Sequence, residues 1–349
     1  MTVIPAAPGS AALEEVLEPP RVDGEVVVRV HAIGICGTDR EILDGKYGVA
    51  PPAATRLILG HESIGRVLVA PADSHLREGD WVVGIVRRPD PVPCANCAIG
   101  EWDMCRNGLY TERGIKALHG YASERYRIEP AFVVPVPAQL GELGVLVEPA
   151  SIVAKAWDHI ERIGARARFE PERVLITGAG PIGLLAAMFG VQRGLRVEVF
   201  DRIESGPKPA LVRDLGATYH VGGIETLCSA SDIVLECTGA APVIFAVLSS
   251  ARPNGIICLT GVSSGGAKMP VDVGALNREL VLENNVIVGS VNANRSHYEQ
   301  AVAALSRANR GWLDRIITRR VPLDDWQGAV TRSATDVKTV LSFPQERRV

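Results

Sequence analysis

Cys36, His61, Glu62 and Glu148 carry the side-chain types that zinc accepts: thiolate, imidazole and carboxylate. A catalytic zinc keeps one coordination position open for water or substrate. Taken singly, each residue also has an ordinary structural reading. Cys36 could be a small core residue, His61 a satisfied core histidine and Glu148 a carboxylate at a helix start. His61-Glu62 does not open the H-E-x-x-H helix of a metalloprotease, because position 65 is glycine. A second cluster, Cys94, Cys97 and Cys105, falls within twelve residues. The chain has seven cysteines, an odd number, and Met1 to Glu15 shows no secretory pattern. A disulfide framework is therefore not expected, and the three-cysteine cluster points to metal.

A different chemistry is encoded later. Thr177-Gly178-Ala179-Gly180-Pro181-Ile182-Gly183 is a G-x-G-x-x-G turn. Gly178 permits the tight turn, Gly180 lets backbone approach a pyrophosphate and Gly183 lets helix and strand pack closely. The following helix offers free N–H groups and partial positive charge to phosphates. The next strand ends at Asp201, near the ~20-residue spacing of a ribose-binding acid. A carboxylate there accepts from ribose hydroxyls and repels a 2′-phosphate, whereas the adjacent Arg202 does the reverse, so the pair leans toward NAD over NADP. Thr238 and Gly239 lie after another strand, at the carboxyl edge where such sheets bind ligands.

These residues need a scaffold. The first third alternates short β-branched strands with Gly- and Pro-rich turns, predicting a β-barrel-like domain. Strands are expected at 24–33, 63–70, 81–86, 121–128 and 132–136, with an irregular stretch over 87–120. Beyond residue 150, strand and helix alternate, which predicts βαβ units and a parallel sheet. The tail shows two helical stretches, at 298–306 and 326–332. The uncharged run Val174 to Gln192 reads as strand, phosphate turn and helix, not as a membrane span. Lys+Arg 37 against Asp+Glu 40 leaves a net charge of −3 without blocks of one sign, so neither nucleic acid nor a membrane is an expected partner. The cytoplasm is the default location.

Cys36-Gly-Thr-Asp, Gly60-His-Glu-x-x-Gly65, the cysteine lobe and Gly178-x-Gly-x-x-Gly183 occur in the order seen in medium-chain zinc-dependent alcohol dehydrogenases, which the chain resembles. Within that superfamily it is similar to the archaeal-type glucose 1-dehydrogenases. Gly37-Thr-Asp-Arg-Glu-Ile42, Val86-Arg-Arg-Pro89, Asp103-Met-Cys105, Glu112-Arg-Gly-Ile115, His119-Gly-Tyr121 and Gly289-Ser-Val-Asn292 carry that closer likeness. The resemblance implies an α/β fold. A GroES-like barrel catalytic domain would span residues 1–158 and a doubly wound Rossmann domain 159–292, with a return to the barrel over 293–349.

It further implies that Cys36, His61 and Glu62 hold a catalytic zinc, with Glu148 as a further carboxylate for metal or substrate. Thr38 would relay the substrate proton, and Glu112 and Asn292 would contact sugar, Asn292 also lying beside the cofactor. Gly178, Gly180, Pro181, Ile182, Gly183, Asp201, Arg202 and Thr238 would hold the dinucleotide. In the structural-zinc lobe of the superfamily, Cys94, Cys97 and Cys105 match three of four cysteines. The first falls at Pro91, so Asp90 or Asp103 would have to complete the set. Ile203 stands where this group often has a second basic residue, which departs from strong NADP preference. The implied reaction is oxidation of an aldose, D-glucose foremost, at C1 with NAD(P)+. The alternative is another polyol, cyclitol or secondary-alcohol dehydrogenase on the same scaffold. A homo-oligomer, dimer or tetramer, is implied as well.

Overall fold

The computed structural model describes residues 1–263, 268–331, 333 and 335–344. The tail positions Arg332 and 345–349 thus lie outside the described residues, as do the ends of two expected segments. The chain forms two compact units, Met1–Ser151 with Asn292–Val349, and Ile152–Val291.

In the first unit, a seven-stranded sheet is built around the strand Val26–Ile35. Its β-branched residues are buried on both faces, as Val26, Val28, Val30, Ile33 and Ile35 show. This strand pairs antiparallel with Glu62–Val69, Lys338–Ser342 and Arg125–Ile128. Trp81–Gly84 and Val133–Val136 extend one side, and Ile317–Pro322 closes the other side by pairing parallel with Lys338–Ser342. The tail therefore supplies two strands to this sheet, besides the helices Arg295–Arg307, Arg310–Ile316 and Trp326–Val330. The stretch 87–120 is more ordered than its composition suggests. It holds a three-stranded sheet (Arg87–Arg88, Thr111–Arg113, Ala117–Leu118) and two single-turn helices. Strands this short leave no readable alternation.

The second unit carries six parallel strands in the order 3-2-1-4-5-6 when numbered along it: Arg173–Thr177, Arg196–Phe200, Thr218–His220, Ile233–Glu236, Ile256–Leu259 and Val286–Gly289. This is the Rossmann order, with its switch point beside the first strand. Val174, Leu175, Ile176 and Val234, Leu235 are buried because helices cover both faces of such a sheet. The run from Val174 divides into the strand Arg173–Thr177 and the helix Pro181–Gln192, as expected. Among the described residues no helix is long and apolar enough to cross a membrane. The helix Val147–Gly164 runs unbroken through Ser151 and Ile152, so both this division and one after residue 158 fall inside a single helix.

Candidate active site

Two sheet positions bring the first set of residues together. Cys36 follows the last residue of Val26–Ile35 and caps the helix Gly37–Leu43, its Sγ accepting from Thr38 N at 3.2 Å. His61 immediately precedes the paired strand Glu62–Val69, in which Glu62 lies opposite Gly34. Antiparallel pairing thus delivers Cys36 and His61 to one end of the sheet, with Cys36 Sγ 3.0 Å from His61 Nε2. The donor atoms of His61, Glu62 and Glu148 also lie within 4.8 Å of one another. Two groups therefore meet at His61, one with Cys36 and Asp39 and the other with Glu62 and Glu148; the four expected ligands do not form a single cluster within 4.8 Å.

Asp39 orients this group. One oxygen accepts from Cys36 N at 2.9 Å, while the other lies 3.4 Å from His61 Nδ1. Asp39 is fully buried, and both facing atoms, Oδ1 and Nδ1, lack another hydrogen-bond partner. A histidine whose outer nitrogen faces a carboxylate presents the opposite nitrogen to a metal. Burial pushes the Asp39 carboxyl upward, but the imidazole and the Cys36 N–H more than offset this and hold it below its ordinary value. Burial likewise opposes charge on His61, yet the Cys36 sulfur and Asp39 raise it well above 6.5. Glu148 is pushed up to about 8, by burial first and by Glu62 among its neighbours. Buried acids and bases displaced in this way are characteristic of functional sites.

Glu62 differs from the other three. Its Oε2 is ion-paired with Lys338 Nζ, which also donates to Ile35 O at 3.2 Å, and both side chains are buried. A Cβ at position 34 would stand 2.0 Å from Glu62 Oε2 and 2.9 Å from Lys338 Cε. Gly34 is therefore required by this pair. Thr38, half-buried beside Cys36, makes no side-chain hydrogen bond among the described residues.

Glu112 is buried in the same unit, where Oε1 accepts from Arg87 Nη2 at 2.9 Å, Arg87 Nε at 3.2 Å and Asn292 Nδ2 at 2.6 Å. Three donors saturate Oε1, and no donor reaches Oε2 among the described residues. Asn292 adopts φ 63°, with Oδ1 accepting from Ala293 N at 2.8 Å. Such a left-handed residue is uncommon and is held here by both ends of its amide.

The sulfurs of Cys94, Cys97 and Cys105 converge within 4.8 Å. The N–H groups of Arg106 and Cys97 lower the Cys94 thiol to about 6. Of the two carboxylates considered for a fourth ligand, Asp103 accepts from Asn294 Nδ2 at 2.9 Å. Asp90 Oδ2 is buried without a partner, its Oδ1 accepting from Val92 N.

In the second unit the glycine turn has a separate reason for each glycine. Gly178 has φ 88°, and a Cβ at Gly183 would lie 1.7 Å from Gly178 O. A Cβ at Gly180 would meet nothing within 4 Å. Packing does not require glycine at 180, and the open space there fits a pyrophosphate approaching the N-terminus of the helix that starts at Pro181 and Ile182. Thr238 bonds through its hydroxyl and N–H to Glu236, a buried acid that also accepts from Thr177 Oγ1 and Gly239 N. Asp201 is buried at its strand end and bonds to Ala179 N, Ile203 N and Lys208 Nζ, while Arg202 is exposed.

Residues 22–138 match the alcohol dehydrogenase GroES-like domain, and residues 141–343 match the glucose dehydrogenase C-terminus. Glucose 1-dehydrogenase 2 of Vulcanisaeta moutnovskia is 40% identical over 99% of this chain and 99% of its own. The chain belongs to the glucose dehydrogenase family. Another family member, glucose 1-dehydrogenase of Methanocella arvoryzae, is 37% identical over 98% of each chain. The solved glucose dehydrogenase of Haloferax mediterranei, in complex with NADP, Zn and gluconolactone, superposes with a TM-score of 0.89 at 32% identity, covering 99% of both chains.

Several residues of this glucose dehydrogenase-family site escaped sequence reasoning. Asp39 stands in the Cys36 motif at the spacing of a capping box, and that spacing was its available signal. Arg87 was visible only within a family segment. Lys338 and Lys208 had no local signal, since each finds its carboxylate through strand register or a following helix.

Proposed function

We propose that this chain is a zinc-dependent sugar dehydrogenase that oxidises D-glucose at C1 to glucono-1,5-lactone with NAD(P)+ as acceptor. The observation that carries the reading is Cys36 Sγ at 3.0 Å from His61 Nε2, with the Glu148 carboxylate converging on the same imidazole. The mixed thiol, imidazole and carboxylate set suits a catalytic zinc. Cys36, His61 and a carboxylate from Glu62 or Glu148 would hold the ion. Gly178, Gly180 and Gly183 would cradle the dinucleotide. When bound, the zinc supplies Lewis acidity toward a hydroxyl and the nicotinamide supplies the hydride acceptor.

The chain's own residues do the rest. Asp39 fixes the imidazole through Nδ1 and leaves Nε2 facing inward. Thr38, with its hydroxyl uncommitted beside Cys36, carries the C1 hydroxyl proton outward. Glu112, immobilised by Arg87 and Asn292, accepts a sugar hydroxyl through Oε2. Discrimination between sugars rests on such contacts, because a buried acceptor left without its hydroxyl is costly. Lys338 ion-pairs with Glu62 and holds it in place beside His61. The lobe of Cys94, Cys97 and Cys105 would hold a second, structural ion through its three thiolates; neither Asp90 nor Asp103 groups with them among the described residues. The enzyme would act in the cytoplasm as a dimer or tetramer.

The test is a panel of aldoses and cyclitols with both dinucleotides, scored by kcat/KM. D-glucose is expected to lead, with gluconolactone as product. A cyclitol or simple secondary alcohol exceeding every aldose by tenfold would overturn the sugar assignment.

A further inference from the structure

Hydrogen bonds close a ring around the Glu112 carboxylate, and one residue outside the site ties the ring together. Glu112 Oε1 accepts from Arg87 Nη2 at 2.9 Å and from Asn292 Nδ2 at 2.6 Å. Both donors lead to Asp103. Arg87 Nη1 donates to the main-chain oxygen of Asp103 at 3.0 Å. Two residues beyond Asn292, Asn294 Nδ2 donates to Asp103 Oδ1 at 2.9 Å. Asp103 thus holds Arg87 with its backbone and the segment 292–294 with its side chain. Every member of the ring is buried, and all lie in the first unit.

The direction of each link is fixed. Asn294 caps the helix Arg295–Arg307, its Oδ1 accepting from His297 N. Its NH2 group must therefore point away from the helix and find an acceptor, which Asp103 supplies. Asn292 Oδ1 is taken by Ala293 N, so its Nδ2 is likewise committed to Glu112. Asn292 also sits in the left-handed region at φ 63°, a conformation that persists only where its surroundings impose it. Arg87 lies flat on Tyr110, 3.7 Å from the ring centroid, with its edges on Glu112 and Asp103. Close-packed groups bonded at both ends pass a displacement on instead of absorbing it. The direction in which Glu112 presents Oε2 is therefore set by the ring.

We propose that Asp103 is a positioning residue for sugar recognition. It touches no substrate, and it aims Glu112 Oε2 by clamping both donors to Oε1. Without the Asp103 carboxylate, Asn294 Nδ2 loses its acceptor, the segment 292–294 relaxes and Asn292 Nδ2 withdraws from Glu112. Glu112 is then held by Arg87 alone and its free oxygen turns away from the hydroxyl it should meet. This inference rests on the sugar reading of Glu112 and deepens it.

The experiment is steady-state kinetics of the full chain, with D-glucose and the dinucleotide varied separately. Asp103→Ala is expected to raise KM for glucose about tenfold, the effect of one buried donor left unpaired. kcat and KM for the dinucleotide should stay within about threefold. Asp103→Asn keeps an oxygen for Asn294 Nδ2 and should bring KM for glucose back to within about threefold of the unaltered chain. In a Glu112→Gln background, Asp103→Ala should add little, because the two residues act as a unit. If Asp103→Ala does not fold, Asn294→Asp keeps the helix cap, sets two carboxylates against each other and should raise KM for glucose in the same way. An unmoved KM for glucose in a folded variant, an equal rise in both KM values, or full additivity with Glu112→Gln would overturn the proposal. Absence of aldose turnover in the unaltered chain would remove the sugar reading and this inference with it, a result distinct from a failure of Asp103 alone.

Discussion

Asp39→Asn separates the charge of Asp39 from its shape. The carboxylate serves two donors at once, Cys36 N at 2.9 Å and His61 Nδ1 at 3.4 Å. An asparagine has one carbonyl oxygen and one NH2 group. If the oxygen stays with Cys36 N, the NH2 group meets the imidazole N–H, donor against donor. His61 must then rotate or shift its proton to Nε2, the nitrogen that faces Cys36 Sγ. If the amide flips, the conflict moves to Cys36 N and the helix cap is lost. Loss of an outer partner of a metal-bound histidine costs about 10–100-fold in metal affinity. The 3.4 Å separation is longer than the ~2.7–2.9 Å of a strong charge-assisted bond, which places the effect near the lower end, about tenfold or ~1.4 kcal/mol. Asp39 is the N3 residue of the capping box whose N-cap is Cys36, and an amide oxygen there can still accept from Cys36 N, so Tm should fall by only a few degrees. The assay is zinc affinity by competition against a chromophoric chelator, with kcat/KM measured at saturating zinc. Unaltered zinc affinity in a folded variant would refute the orienting role of Asp39. A collapse of the fold would show that the carboxylate is chiefly structural.

Other expected outcomes follow from neighbouring contacts. Gly34→Ala places a Cβ 2.0 Å from Glu62 Oε2 and should lower stability by about 1–3 kcal/mol, together with zinc content, read by thermal unfolding and metal analysis. Arg87→Met frees Glu112 Oε1 from two donors and should raise KM for the sugar well above any change in KM for the dinucleotide, and equal shifts in both would count against it. Glu198, against which burial works, is held below its ordinary value chiefly by the bond from His220 and by Arg196. A depressed carboxyl contributes stability that is complete above its unfolded value of about 4.3 and is lost as pH falls through the folded value. Glu198→Gln should therefore lower Tm at pH 7 and converge with the unaltered chain in stronger acid, whereas a pH-independent gap would contradict the linkage. Cys105→Ser should reduce zinc by one equivalent while leaving kcat/KM largely intact, and a parallel loss of activity would argue that the lobe is not purely structural.

Legibility in the sequence followed distance along the chain. The glycine turn was readable because its strand, turn and helix occupy one continuous run from Arg173 to Gln192. Cys36 and His61 could each be singled out by residue type, yet their meeting depends on antiparallel register between two strands, which no local pattern encodes. No strand is expected at Ile317–Pro322 or Lys338–Ser342, where the resemblance implies only a return to the barrel, because Arg319, Arg320 and Lys338 interrupt the apolar alternation. Lys338 is in a strand because its ammonium is neutralised by Glu62 across the sheet, a compensation invisible from either segment alone. Asp201 shows the converse. Its position was evident from spacing, but its occupancy by Ala179, Ile203 and Lys208 emerged only from the folded loop.

Zinc stoichiometry of purified Cys36→Ala and His61→Ala, measured beside the unaltered chain with thermal unfolding as a control, addresses the central claim most directly. Each variant is predicted to remain folded, to lose one equivalent of zinc and to lose turnover. Full zinc retention with robust turnover in either folded variant would contradict a metal held between the sulfur and the imidazole.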